Sequence, residues 1–184
     1  MNRKIITSII VFAILAAASY IYFSGKGYTV NIPEARLKEK LGEKLPLTKT
    51  YLFILEVTLG NPRVSLAEGS RKIDVGLDVV LNIKINRGLK PLGGSIDMSV
   101  GVRYEPEKGQ FFLTDPVIEN LKIQGIPDKY TDTADRALSK AISGYCETNP
   151  IYTLKTSDIK QAAAKLVLKD VYIHNKELVI KLGI

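Results

Sequence analysis

The chain of 184 residues has no tryptophan, one cysteine and one histidine. A lone cysteine excludes an internal disulfide and any thiolate zinc site. A lone histidine excludes every mechanism that needs two imidazoles. There is no basic run, and no aromatic–basic interleaving of the kind a base-stacking surface needs. The net charge is +7, from 26 Lys and Arg against 19 Asp and Glu, with the two signs mixed in nearly every segment. Setting aside the first 23 residues, whose charged members are Arg3 and Lys4, leaves 24 basic and 19 acidic residues, a balance of +5. That is a mildly basic solvated surface, and nucleic acid is not an expected partner. A 46% apolar composition excludes a disordered chain. The length suits one folded domain with an appendage, large enough to need no metal or disulfide staple.

Enzymatic constellations are missing too. No G-x-S-x-G marks a nucleophile, and no glycine-rich loop leads a strand into a helix to cradle phosphate. Asp74 and Asp78 fall about 13 Å apart along one strand, too far for a retaining carboxylate pair. No acidic loop has the pattern of a calcium site. His174 reads as a solvated turn residue. Cys146, on a helix beside Tyr145, reads as a packing residue, although in an oxidising compartment it could cross-link two chains. No catalytic residue, metal or cofactor is expected, and the chain is not expected to be an enzyme.

What the sequence does have begins at its N-terminus. Arg3 and Lys4 precede Ile5–Phe23, nineteen uncharged residues whose polar members are Thr7, Ser8 and Ser19, apart from two tyrosines. As a helix they match the hydrocarbon core of a bilayer, with Tyr20, Tyr22 and Phe23 at the far interface. The charge bias places the N-terminus inside and the body outside. A cleavable signal peptide competes with this reading, because Ala16-Ala17-Ala18 offers small residues after an apolar stretch. The apolar run continues past that point, which favours retention. Either way the body is exported. The expected organisation is a transmembrane signal-anchor or uncleaved signal over 1–23, a spacer over 24–27, and one exported α+β domain over 28–184.

In that body Pro33–Lys44 predicts a helix, with Leu37, Leu41 and Leu45 recurring every four residues and Pro46 stopping it. Tyr51–Leu59 predicts a strand broken at Asn61-Pro62. The clearest pattern follows. Ile73, Val75, Leu77, Val79, Leu81, Ile83 and Ile85 alternate strictly with a mainly polar set, which predicts a strand well over twice ordinary length, apolar on one face. Gly88–Gly94 reads as a turn. A second alternating strand carries Ile96, Met98, Val100, Val102 and Tyr104. After Glu105–Gly109 a third runs from Gln110 to Gln124, kinked near Asp115-Pro116. Pro127–Thr148 predicts the main helix, with Ala134, Ala137, Leu138, Ala141, Ile142 and Tyr145 on one face. Ile151–Leu154 reads as extended, Asp158–Leu168 as a shorter helix, and Val171–Leu182 as a closing hairpin turning at 174–177.

Strands this long with one wet face must lay the other on something, and one helix cannot cover them unless the sheet curls around it. A curled sheet leaves an apolar groove suited to a lipid chain, unless side chains fill it. The residues expected to line such a groove are the stripe Ile73, Val75, Leu77, Val79, Leu81, Ile83 and Ile85, its neighbour Ile96, Met98, Val100 and Val102, then Phe111 or Phe112, and Leu138 and Ile142 on the helix.

The second half also carries a pattern. Glu107-Lys108-Gly109, Phe111-Phe112-Leu113, Asn149-Pro150-Ile151-Tyr152-Thr153-Leu154, the run Ala162-Ala163-Ala164-Lys165 and Glu177-Leu178-Val179-Ile180 resemble the YceB-like family of small bacterial envelope lipoproteins, over roughly Tyr28 to Leu182. That family is similar to the tubular lipid-binding (TULIP) superfamily. The resemblance implies a strongly bent antiparallel sheet wrapped around a long helix, and lipid binding at the bacterial envelope. Typical members carry a lipobox cysteine. Ser19 stands where one would fall here, so the resemblance implies that a transmembrane helix replaces the acyl anchor, at the inner membrane. If the chain is cleaved after Ala18 it would be soluble in the periplasm. The expected function is therefore a non-enzymatic, membrane-anchored periplasmic protein that binds lipid or another long apolar ligand. The alternative is an envelope scaffold or protein-interaction module with a fully packed core and no ligand.

Overall fold

The computed structural model describes residues 27–51, 53–85, 88–126, 128–154 and 166–183. The expected membrane segment at 5–23 and most of the expected helix at 158–168 lie outside them, and at the end of that expected helix Val167 and Leu168 begin a strand instead. No helix among the described residues is long and apolar enough to cross a membrane.

Among the described residues strands predominate, with two helices. Strand β1 (Tyr28–Pro33) leads into helix α1 (Glu34–Gly42). A meander follows: β2 (Leu47–Tyr51), β3 (Leu55–Ser65), β4 (Ile73–Ile85), β5 (Gly88–Glu105) and β6 (Gln110–Ile123). Helix α2 (Asp128–Thr148) comes next, then β7 (Pro150–Thr153), β8 (Val167–His174) and β9 (Glu177–Gly183). The strands form a six-stranded antiparallel sheet in the order β2-β3-β4-β5-β6-β7 and a three-stranded sheet in the order β1-β9-β8.

The large sheet is curled into a half-barrel. Helix α2 packs on both β6 and β3, two strands that β4 and β5 separate within the sheet. A helix that meets β3 and β6 more closely than the two strands between them fits a sheet bent around it. Strong local twist at bulges assists this bend. Register shifts fall between Gly60 and Arg63 on β3 and beside Asp97 and Ser99 on β5. Asp115 takes a left-handed conformation, φ 48°, just before Pro116, at the kink the sequence predicts. Gly94 faces Ile123 across the β5–β6 ladder, and a Cβ there would fall on the Lys122 carbonyl oxygen. Glycine is required at that position by close backbone approach.

Three sequence expectations are corrected. Pro62 does not end its strand. The bulge at Asn61 (φ 44°) takes the proline out of the ladder, and β3 resumes at Arg63. Gly88–Gly94 is not a turn but the first third of β5, paired to β4 as far as Ile85↔Gly88. Its glycines and proline tolerate an extended ladder, and Pro91 is exposed opposite Asn82. Tyr51–Leu59 is not one strand but the apex of a hairpin, turning between β2 and β3.

The three-stranded sheet closes one end of the half-barrel. Gly69 N–H donates to the Ile173 carbonyl at 3.0 Å, and Ile173 N–H donates to the Ser70 carbonyl at 2.8 Å. The Glu68 carboxylate accepts from Asn175 N–H at 2.9 Å and lies 2.7 Å from His174 Nδ1. His174 is exposed, as its sequence setting predicts, yet it is part of this clamp. Ile32, Ile173, Leu178, Ile180 and Leu182 join the residues of the large sheet in one continuous core.

Candidate functional site

The concave face of the half-barrel is an apolar trough. Strict alternation puts Ile73, Val75, Leu77, Val79, Leu81 and Ile83 of β4 on that face, each at most 3% exposed. Residue for residue, the ladder sets Ile73 opposite Val100, Val75 opposite Met98 and Leu77 opposite Ile96. Ile96, Met98 and Val100 of β5 continue the floor, with Val102 beyond them only partly buried. Leu55, Val57 and Leu59 of β3 extend it on the other side. Ile85 stands opposite Gly88, and its side chain lies outside those described.

Helix α2 forms the roof. Its buried face is Ala134, Ala137, Leu138, Ala141, Ile142, Tyr145 and Cys146, the stripe the 3.6-residue period predicts. Three alanines on one face, Ala134, Ala137 and Ala141, let the helix pack close above the sheet. The two phenylalanines part company at the β6 ladder. Phe111 is fully buried in the core, 4.8 Å from the Tyr104 ring and 6.1 Å from that of Tyr152. Phe112 points to the opposite face, where the Arg103 guanidinium stacks 4.8 Å from its centroid. The trough therefore contains Phe111 and not Phe112. All the other expected lining residues with described side chains, Leu138 and Ile142 included, belong to one core cluster with it.

The roof is fastened at the closed end. Tyr145 Oη donates to the Leu41 carbonyl of α1 at 2.6 Å, a buried bond between the two helices. Burial is the main reason the Tyr145 phenol is pushed up to about 12, with the neighbouring Cys146 and Glu43 adding to it. Burial likewise lifts the Cys146 thiol to about 12, with Glu147 contributing. At 1% exposure Cys146 is a packing residue with its sulfur turned from solvent. No buried side-chain nitrogen or oxygen among the described residues lacks a partner. The described floor residues of β4 and β5 named above are all apolar, and the roof's Tyr145 hydroxyl is taken by Leu41. No cluster of His, Cys, Asp and Glu among the described residues suits a metal.

Along its side the roof is less tight. A cleft of about 200 Å³ opens between α2 and the second half of β6, lined by Pro116, Ile118, Ser139, Ile142 and Ser143. Beyond it Leu121, Ile123, Ile126 and Tyr130 are partly buried against the core. The sequence pattern marked Pro116 only as a kink and did not single out Ile118 or the two serines. Asp115 shifts the β6 phase there, and two small polar residues on a helix carry no periodic signal.

These features define a curled antiparallel sheet roofed by one helix, with an apolar trough between them. The chain belongs to the family described as protein of unknown function (DUF1439), whose pattern matches residues 32–177. No curated protein matches it in sequence. Among solved structures it is similar to a crystal structure of lipopolysaccharide binding protein, at 10% identity and a TM-score of 0.34, over 84% of this chain and 48% of that one. The chain thus spans about half the length of that protein.

Proposed function

We propose that this protein holds a lipid, or another long apolar ligand, in the trough between α2 and the floor strands β4 and β5, without catalysing a reaction. The observation that carries this reading is the side cleft. It opens to solvent between α2 and β6, and Ile142 of the buried helix face is among the residues that line it. An acyl chain sliding in beneath the roof would meet aliphatic side chains throughout. Each methylene buried there contributes about 0.8 kcal/mol with no directional contact, so chain length and not headgroup would dominate affinity.

The same reading takes the fold as TULIP-like and the chain as a YceB-like envelope protein. The uncharged run Ile5–Phe23 behind Arg3 and Lys4 supports a single-pass anchor in the inner membrane with the body in the periplasm. Ser19 in place of a lipobox cysteine supports an anchor that is a helix and not an acyl group.

A second reading rests on a different observation. The floor side chains are already nearly inaccessible with no ligand in place. On this account the core is complete and the molecule is an envelope scaffold or interaction module. Native mass spectrometry with lipid extraction separates the two. The chain from Ser24 to Ile184, purified from a bacterial envelope fraction, should carry a stoichiometric phospholipid or fatty acid. A clean apo mass in a folded, monodisperse protein would overturn the lipid reading and favour the scaffold.

A further inference from the structure

At the end of the half-barrel away from the three-stranded sheet, the β2–β3 hairpin turns between Tyr51 and Leu55, with Phe53 and Ile54 in the turn. Phe53 is 92% exposed and Ile54 37%. Phe53 also sits at φ 60°, the left-handed region that a hairpin normally gives to glycine or asparagine. A bulky side chain there strains the turn, and it contributes nothing to the core. Folding does not account for this residue.

The sequence positions around it are cationic. Lys49 is exposed on β2, two residues before Tyr51. The neighbouring β4–β5 hairpin ends at the same side of the sheet, because Leu55 pairs with Ile83. Its last rungs set Lys84 opposite Leu89 and Ile83 opposite Lys90. The acid in these rungs, Glu56, accepts a hydrogen bond from Asn82 at 2.8 Å. A single protruding ring is far too small for a protein interface, which buries about 800 Å² on each side. An aromatic ring with lysine positions behind it does match the interfacial layer of a bilayer, where rings sit at headgroup depth and lysines meet anionic phosphates.

We propose that the β2–β3 hairpin is a membrane-docking finger, which sets Phe53, with its neighbour Ile54, into the headgroup region of an anionic phospholipid bilayer. The end of β6 and the N-terminus of α2 lie toward this same end of the half-barrel, with Ile123, Ile126 and Tyr130 only partly buried there. Docking would therefore bring the trough's less covered end to the membrane. That last step rests on the lipid-holding function proposed above, whereas the docking itself does not.

The absence of tryptophan makes the test direct. Phe53→Trp in the full chain gives a single emitter. The protein is mixed with vesicles of phosphatidylglycerol and phosphatidylethanolamine whose acyl chains are brominated, and the floated fraction is measured. The expected result is blue-shifted emission, protection from iodide and a roughly twofold loss of intensity to the brominated lipid. A Val117→Trp chain, emitting from a residue 48% exposed on the outer face of β6, should remain accessible to iodide and unquenched by lipid. Docking would be overturned by either of two results: the Phe53→Trp and Val117→Trp chains showing equal iodide access and equal lipid quenching, or no chain in the floated fraction. Undiminished quenching in phosphatidylcholine vesicles would overturn the anionic preference. The native mass of the same Phe53→Trp protein reads the trough separately. A lipid adduct without quenching sinks the finger alone, and quenching without an adduct sinks the trough alone.

Discussion

Tyr145 joins the two helices through one atom. Its phenol donates to the Leu41 carbonyl inside the core, at the closed end of the trough. Tyr145→Phe would leave that carbonyl buried and unpaired, which costs about 1–3 kcal/mol, read as a lower urea midpoint at unchanged slope. The same residue and its neighbour set an alkaline limit. Unfolded, the Tyr145 phenol and the Cys146 thiol lose their protons near 10.0 and 9.0, and folded they hold them to about 12. The folded state therefore binds more protons above pH 9.0, so stability falls as pH rises from there through about 12. Below pH 9.0 this contribution is constant. Thermal unfolding followed from neutral to alkaline pH should show the decline, and Cys146→Ala should reduce its early part. Glu68 acts in the opposite sense. The hydrogen bond from His174, then that from Asn175 N–H, holds its carboxyl below the ordinary 4.5, so the clamp is complete above that pH and weakens as pH falls.

At the scale of elements, the curl of the sheet depends on backbone approach at chosen points. Gly94→Ala places a methyl group on the Lys122 carbonyl and the Ile123 side chain, whereas Gly93→Ala meets nothing within 4 Å. The first should destabilise by about 1–3 kcal/mol and the second by under about 0.5 kcal/mol in chemical denaturation. This contrast also marks what the sequence could and could not convey. The alternation from Ile73 to Ile85 and the helical stripe from Ala134 to Tyr145 are local periodicities, and both elements stand where those periods put them. The kink at Asp115-Pro116 was equally legible, because proline's missing N–H is a local fact. Bulges and non-local pairing were not. Asn61 absorbs Pro62 into β3, and β1 reaches across nearly the whole chain to pair with β9. Glycines and Pro91 in β5 read as a turn because their local preference opposes the ladder that tertiary pairing imposes. The buried faces of β4 and α2 were legible, while the phase of β6 was not. Only the ladder shows that Phe111 faces in and that Phe112 lies under Arg103.

For the molecule as a whole, a six-stranded half-barrel is roofed by α2, and the function proposed for it is that of an apolar container entered between roof and wall. Ser143→Phe would wedge a ring into the side cleft beside Pro116 and Ile118. Ser143 is partly exposed, so folding stability should change by less than about 1 kcal/mol, while the lipid adduct in the native mass should fall sharply. An unchanged adduct would mean that ligand enters elsewhere. The container itself is tested most directly by photo-crosslinking with a phospholipid carrying a diazirine on its acyl chain, followed by peptide mapping. The account predicts labels on the inward residues of β4 and β5 and on the buried face of α2, such as Leu77, Ile96 and Leu138. Labels confined to the outer face of the sheet or to the Phe53 hairpin, with none in the trough, would contradict it.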